Sequence, residues 1–208
     1  MTYLFDFDGT LVDSMQQWSE KMLRILRDSG VSYPDDIIKI ITPLGDNGTV
    51  EYFIRLGVPM TKQEMFDLMD FYAIKEYTYN IPAKPYVYEV LQALKKAGHS
   101  LNVLTASPHK MLDVCLKRLG LYDLFDNVWS CDDFGTTKSD PEIYIRAAEK
   151  MGCKVSECIF LDDNFGAVQT AKKAGMQTIA VYDDTSRDME QEMRALADKY
   201  IFDFRELI

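Results

Sequence analysis

Beyond residue 86 the chain alternates between two hydrophobic periods, and this alternation constrains its fold more than any other feature. Residues 87–97 carry apolar positions at helical spacing and end at Gly98. A short apolar run, 100–105, reads as a strand. Helical spacing returns at 110–119, closed by Gly120, before a short strand near 127–130. Helix 141–151, strand 158–162, helix 166–174, strand 177–181, a last helix through Met193 and Leu196, and a short strand at 200–202 complete the pattern. Such alternation means parallel strands joined by crossover helices. The apolar run at 2–7 reads as a further strand of the same sheet. The expected fold class is α/β, a Rossmann-like parallel sheet with helices on both faces.

Between the first strand and this region every signal is helical. Met15, Trp18, Met22, Ile25 and Leu26 recur at helical spacing, with Asp13 or Ser14 as N-cap and Gly30 as the stop. Pro34-Asp35-Asp36 opens a short helix, and 49–56 reads as another. Thr61 and Glu64 have the spacing of a capping box before a longer helix through Met65, Leu68, Met69 and Tyr72. Ile81 to Pro85 reads as a linker. The expected organisation is a core of residues 1–13 and 82–208, interrupted by an inserted α-helical domain at 14–81.

Several functional classes are disfavoured by composition. The 208 residues carry a net charge of −10 without a basic run, which argues against nucleic acid or an anionic membrane surface as partner. No apolar stretch approaches the ~20 residues needed to span a bilayer. The first apolar strand begins almost at Met1 and leaves no room for a signal peptide. The four cysteines show no CxxC spacing and fit reduced, mostly buried thiols, so a cytoplasmic location is expected. With only two histidines, His99 and His109, a metal would have to be held by oxygen, as a hard cation such as Mg²⁺ is.

Ligands of open parallel sheets bind beyond the C-terminal strand ends, and the polar residues of this chain gather there. The first strand leads into Asp6-Phe7-Asp8-Gly9-Thr10, where residues two apart share a strand face. The second core strand ends in Thr105-Ala106-Ser107 and a later one in Asp162-Asp163-Asn164. Thr137-Lys138-Ser139-Asp140-Pro141 lies just before a helix. Each element has a plainer account. Asp8-Gly9 can be a hairpin turn, Lys138 a solvated lysine, Thr105 a cap, and Asp140-Pro141 or Ser139-x-x-Glu142 a helix start. Jointly, four carboxylates, a hydroxyl and a cation on four converging loops suit Mg²⁺ and a phosphate group.

These four segments, in this order, resemble the motifs of the haloacid dehalogenase-like hydrolase superfamily, and the resemblance covers the whole chain. It is nearest to the phosphoglycolate phosphatase and β-phosphoglucomutase-like subgroup, in which the helical insert would be a small cap domain. The resemblance implies that Asp6 attacks phosphorus to form an aspartyl-phosphate, while Asp8 serves as acid and then base. Lys138, the Thr105 hydroxyl, the Ala106 N–H and Mg²⁺ would stabilise the developing charge. The metal would be held by the Asp6 side chain, the Asp8 carbonyl and Asp163, with Asp162 as the alternative ligand or acting through water. The implied function is a Mg²⁺-dependent phosphatase acting on a small phosphorylated metabolite.

Competing readings differ at identifiable residues. Dehalogenases and phosphonate-cleaving relatives lack the second aspartate, so Asp8 argues against both, even with Lys75 present in the insert. A sugar phosphomutase would keep Asp6 and Asp8, but mutase-like members present a histidine on the first cap helix, and none lies between Asp8 and His99. A phospho-acceptor signalling domain would carry its acceptor mid-chain with no helical insert in the sheet, and a non-catalytic phospho-ligand-binding protein is disfavoured by the intact aspartate pair. Two departures stand out: Thr137-Lys138-Ser139-Asp140-Pro141 replaces the usual Gly-Lys-Pro-x-Pro, and Pro85-Tyr86 replaces a Pro-Gly pair. Residues Pro43-Leu44-Gly45-Asp46-Asn47-Gly48 read as the cap loop, and with one acid and no base they favour a neutral or polar leaving group over a second anion. Tyr72, Tyr77 and Tyr79 are candidates to face a cleft or to pack within the cap.

Overall fold

A computed structural model describes residues 1–41 and 44–208, with the side chains of residues 16–18 excepted. Pro43 and the Trp18 side chain, both used above, lie outside the described residues. The chain divides into two compact units: residues 1–14 with 81–208, and residues 15–80.

In the first unit, six parallel strands form one sheet: β1 (Thr2–Phe5), β2 (Ser100–Thr105), β3 (Asn127–Ser130), β4 (Cys158–Asp162), β5 (Gln177–Val181) and β6 (Lys199–Ile201), in the order β3-β2-β1-β4-β5-β6. Register is set by pairs such as Phe5 with Val103 on one side and with Leu161 on the other. Because β1 has neighbours on both edges and helices cover both faces, its residues are nearly all apolar. Leu4 packs with Leu104, Phe160 and Tyr144 on one face. Tyr3 and Phe5 point the opposite way, where Phe5 meets Phe125 and Phe204. Helices α7 (Glu142–Lys150) and α8 (Phe165–Ala174) bury Tyr144, Ala147, Ala167 and Ala171 on the Leu4 face. Helix α5 (Val87–Lys96) packs on β2 and on the C-terminal turn Phe204–Leu207. Helices α6 (His109–Arg118) and α9 (Glu190–Leu196) complete this unit.

The second unit is helical: α1 (Met15–Ser29), α2 (Ile37–Ile41), α3 (Gly45–Leu56) and α4 (Lys62–Tyr79). Its core joins Met22, Ile25 and Leu26 of α1 to Val50, Phe53, Met65 and Met69. The capping box at α4 is formed: Thr61 Oγ1 accepts from the Glu64 N–H, and Glu64 Oε2 accepts from the Thr61 N–H. Tyr72 packs within this unit, its hydroxyl donating to Asp28 and its ring under Arg24.

Two local expectations need correction. Residues 44–48 are not a loop. Leu44 precedes α3 and Gly45–Gly48 forms its first turn, since the axis is set by the buried Thr49, Val50 and Phe53. A Cβ at Gly48 would lie 2.8 Å from Leu44 Cβ, so the glycine permits that close approach. The first strand stops at Phe5 rather than at residue 7, because the Phe7 carbonyl accepts from Leu11 and Val12 and turns the chain.

Where the chain leaves and re-enters the core unit, the two segments are clasped together. Val12 and Ala83 form an antiparallel bridge, the Asp13 N–H donates to Pro82 O and the Lys84 N–H donates to Leu11 O. Lys84 then makes an ion pair, 2.9 Å long, with the buried Asp183 just beyond β5.

Tyr86, one residue before α5, has φ 64, a left-handed conformation with a cost of about 1–2 kcal/mol for an L-residue. Its ring lies under the Arg205 guanidinium, 3.8 Å from the centroid, a contact worth about 0.5–1 kcal/mol at an exposed site. Tyr86→Gly should therefore leave stability within about 1 kcal/mol of the parent, as relief of strain offsets the lost contact and the greater freedom of the unfolded chain. Tyr86→Ala keeps the strain and loses the contact. Urea denaturation should rank it below Tyr86→Gly, and the opposite order would refute this account.

Candidate active site

Chain order reverses between β1 and β4, so the C-terminal ends of these strands flank the topological switch point. Asp6 follows β1 directly and is buried, its N–H donating to Leu161 O on β4. Asp162 ends β4 and Asp163 follows it, both buried. Ligand oxygens of Asp6, Asp162 and Asp163 lie within 4.8 Å of one another. Into this cluster reaches Lys138, its Nζ 2.7 Å from Asp6 Oδ1 and 2.7 Å from Asp162 Oδ2. The ammonium thereby bridges two of the three carboxylates through short, charge-assisted contacts.

The electrostatics follow from this geometry. Burial, and then the Asp162 charge, push Asp6 up to about 7 despite the opposing pull of Lys138. Burial with Asp162, Asp6 and Asp183 holds Asp163 well above the ordinary carboxylate range. For Lys138, burial favours the neutral amine, but Asp162 and Asp6 outweigh it and keep the ammonium charged. Three buried carboxylates around one ammonium are short of positive charge. An all-oxygen donor set with that deficit fits a hard divalent cation, so the residues present suit Mg²⁺.

The two aspartates of the fourth segment are held differently. Asp162 uses Oδ2 for Lys138 and Oδ1 for the Asn164 N–H. Asp163 Oδ1 accepts from the Thr10 hydroxyl at 3.0 Å. Gly9 makes room for this carboxylate: it has φ 73, and a Cβ there would lie 2.4 Å from Asp163 Oδ2. Gly9→Ala combines left-handed strain with a clash against a buried carboxylate. It should cost about 2–5 kcal/mol and lower turnover of a phosphate ester at least about 100-fold. Thermal melting and steady-state kinetics would measure the two effects, and near-parental values for both would refute the cradle role.

Asp8 stands beside this cluster rather than within it. It lies in the turn beyond β1, half-buried, with Oδ1 accepting from Ser14 Oγ at 2.6 Å and Oδ2 accepting from Ser107 Oγ. Thr105 is buried at the end of β2, its Oγ1 accepting from the Ser107 N–H at 3.1 Å, which leaves its hydroxyl proton available to donate. Ala106 is exposed in the same loop. Thus the loops after β1, β2 and β4 and the loop before α7 are tied together, and Ser107 carries the link between Asp8 and the β2 loop.

Several supporting residues had no role assigned from sequence. Tyr144 is fully buried with its hydroxyl 3.1 Å from both Lys138 O and Ala167 O, which pins the Lys138 loop to α8. Asn164 caps α8, while the helix start expected at Asp140 is formed, its carboxylate accepting from the Glu142 N–H. A tyrosine within the apolar stripe of α7 was the one available signal, since a buried hydroxyl needs a partner. Ser14 and Ser107 carried none, as serine is common in turns.

The chain belongs to the haloacid dehalogenase-like hydrolases, whose family profile matches residues 3–181. Among its relatives, pyrophosphatase PpaX of Bacillus velezensis is 31% identical over 86% of this chain and 81% of its own length. Hexitol phosphatase B of Escherichia coli is 28% identical over 86% and 82%. The fold is also that of CbbY from Rhodobacter sphaeroides, solved in complex with phosphate, with a TM-score of 0.79 and 21% identity over 99% of this chain and 95% of that one.

Proposed function

We propose that this hydrolase is a Mg²⁺-dependent phosphatase that cleaves a small phosphorylated metabolite through an aspartyl-phosphate on Asp6. The observation that carries the reading is the buried Asp6–Asp162–Asp163 cluster with Lys138 bridging two of its members. Relatives named as phosphatases support the reaction class. Asp6, Asp163 and the Asp8 carbonyl would hold the metal. Asp162, with both oxygens engaged, acts on it through its neighbours. When bound, Mg²⁺ supplies positive charge against the phosphoryl oxygens.

Asp6 attacks phosphorus as the leaving oxygen departs, and Asp8 gives that oxygen its proton. Asp8 then takes a proton from the water that cleaves the acyl phosphate. Both states of Asp8 are accommodated by the same two contacts, because a serine hydroxyl accepts as readily as it donates. Lys138 and the Thr105 hydroxyl and Ala106 N–H neutralise charge on the transferred group. Residues 15–80 take the role of the family's cap domain and carry the choice of leaving group.

The test is hydrolysis of p-nitrophenyl phosphate and a panel of phosphorylated metabolites, with and without Mg²⁺. Turnover that requires Mg²⁺ and releases inorganic phosphate supports the proposal. Absence of turnover across the panel refutes it, and phosphate transfer to a second sugar hydroxyl without release would make the protein a mutase.

A further inference from the structure

Among the four free cysteines, Cys153 and Cys158 face each other with their Sγ atoms 3.2 Å apart, closer than two sulfurs in simple contact. Cys153 lies in the turn that ends α7 and is partly exposed, while Cys158 opens β4 and is wholly buried. Their other polar contacts are weak. Cys153 Sγ is 3.8 Å from Ala148 O, and Cys158 Sγ is 3.5 Å from Lys154 O. A disulfide needs a sulfur separation of about 2.05 Å, so an approach of about 1.2 Å would close the bond. Cys153 sits on a turn rather than within a helix or strand, which makes that approach a local side-chain adjustment.

We propose that Cys153 and Cys158 are a reversible oxidation site, forming a disulfide on exposure to a peroxide, and that this bond staples the connection between α7 and β4. The Cys153 thiolate attacks one peroxide oxygen, the O–O bond breaks, and the departing hydroxide takes up a proton to become water. Cys153 is then a sulfenic acid. The Cys158 sulfur attacks the Cys153 sulfur, hydroxide leaves, and the Cys158 proton converts it to a second water. Two electrons pass from the thiols to the peroxide. The roles follow from access: Cys153 is the sulfur an oxidant can reach. Cys158, buried 3.2 Å from it, is the sulfur placed to reach the sulfenic acid once it forms. The closed loop of six residues restricts the unfolded chain, and the bond should raise the melting temperature by about 4–8 °C.

The test uses the full chain treated with hydrogen peroxide, alkylated and digested with trypsin without reduction. Cleavage after Lys150, Lys154 and Lys172 puts the two thiols on separate peptides, 151–154 and 155–172. The expected product is these peptides joined, two hydrogens lighter than their sum, separated by dithiothreitol and absent from Cys153→Ser. Oxidised parental protein should melt about 4–8 °C above the reduced form, and Cys153→Ser should show no such rise. Oxidation of Cys153 to the sulfinic acid with Cys158 still free would overturn the proposal. So would a linked product that melts no higher than the reduced protein.

Discussion

Asp6→Asn is expected to abolish phosphate-ester turnover, by about 10⁴-fold or more, while making the metal-free protein more stable at pH 8. The first effect follows from losing the attacking oxygen, because an amide does not form the acyl phosphate. The second follows from burial. Asp6 is held at about 7 in the fold against an ordinary value of 3.8. A carboxylate raised in this way favours the fold when neutral. Its stabilising neutral form is fully present below the ordinary value and is lost as pH climbs from there through about 7. The gap corresponds to about 4 kcal/mol at alkaline pH. With neighbouring carboxylates taking up part of the change, Asp6→Asn should melt about 5–10 °C higher than parental protein at pH 8 in EDTA. Near pH 4 the difference should vanish. Parental turnover, or an Asp6→Asn advantage that grows as pH falls, would contradict the nucleophile role and the charge argument respectively.

Lys138→Ala should have the largest effect on stability. Its ammonium is buried between Asp6 and Asp162, and removing one partner of a buried pair costs about 3–5 kcal/mol because the other charge is stranded. For a chain of this size the melting temperature should fall by about 6–20 °C. Turnover should drop about 10²–10³-fold through lost stabilisation of the transferred group. The stability loss should grow with pH, since the stranded carboxylates are increasingly ionised in the unfolded chain. Mg²⁺ should restore part of the stability without restoring the rate. Variant protein that melts and turns over like the parent would remove Lys138 from the site.

The sheet was legible because β1, β2 and β4 are buried on both faces and their residues are correspondingly apolar, with glycines marking the helix ends between them. Strand ends were less legible. Residues 6 and 7 continue the apolar-flanked pattern of β1, and only the hydrogen bonds to Phe7 O show where the chain turns. The start of α3 was hidden because Gly45, Asp46, Asn47 and Gly48 favour a loop locally, and the packing of Val50 and Phe53 overrides that preference. In the candidate site, charged residues stood out because charge beside an apolar strand needs a reason. The hydroxyls that orient them, from Ser14, Ser107, Thr10 and Tyr144, did not, because their roles depend on which loops meet in space.

The clasp joining Val12 to Ala83 gives the molecule an architectural seam. Paired backbones at such a bridge lie about 5 Å apart, so the core itself fixes both ends of the excursion through residues 15–80. Any folded segment whose own ends lie that close could be spliced in without disturbing a strand. The entropic penalty for closing a longer excursion grows only with the logarithm of its length. Descent can therefore lengthen, shorten or replace the helical unit while the chemistry at the sheet stays intact, as one chassis accepting interchangeable attachments.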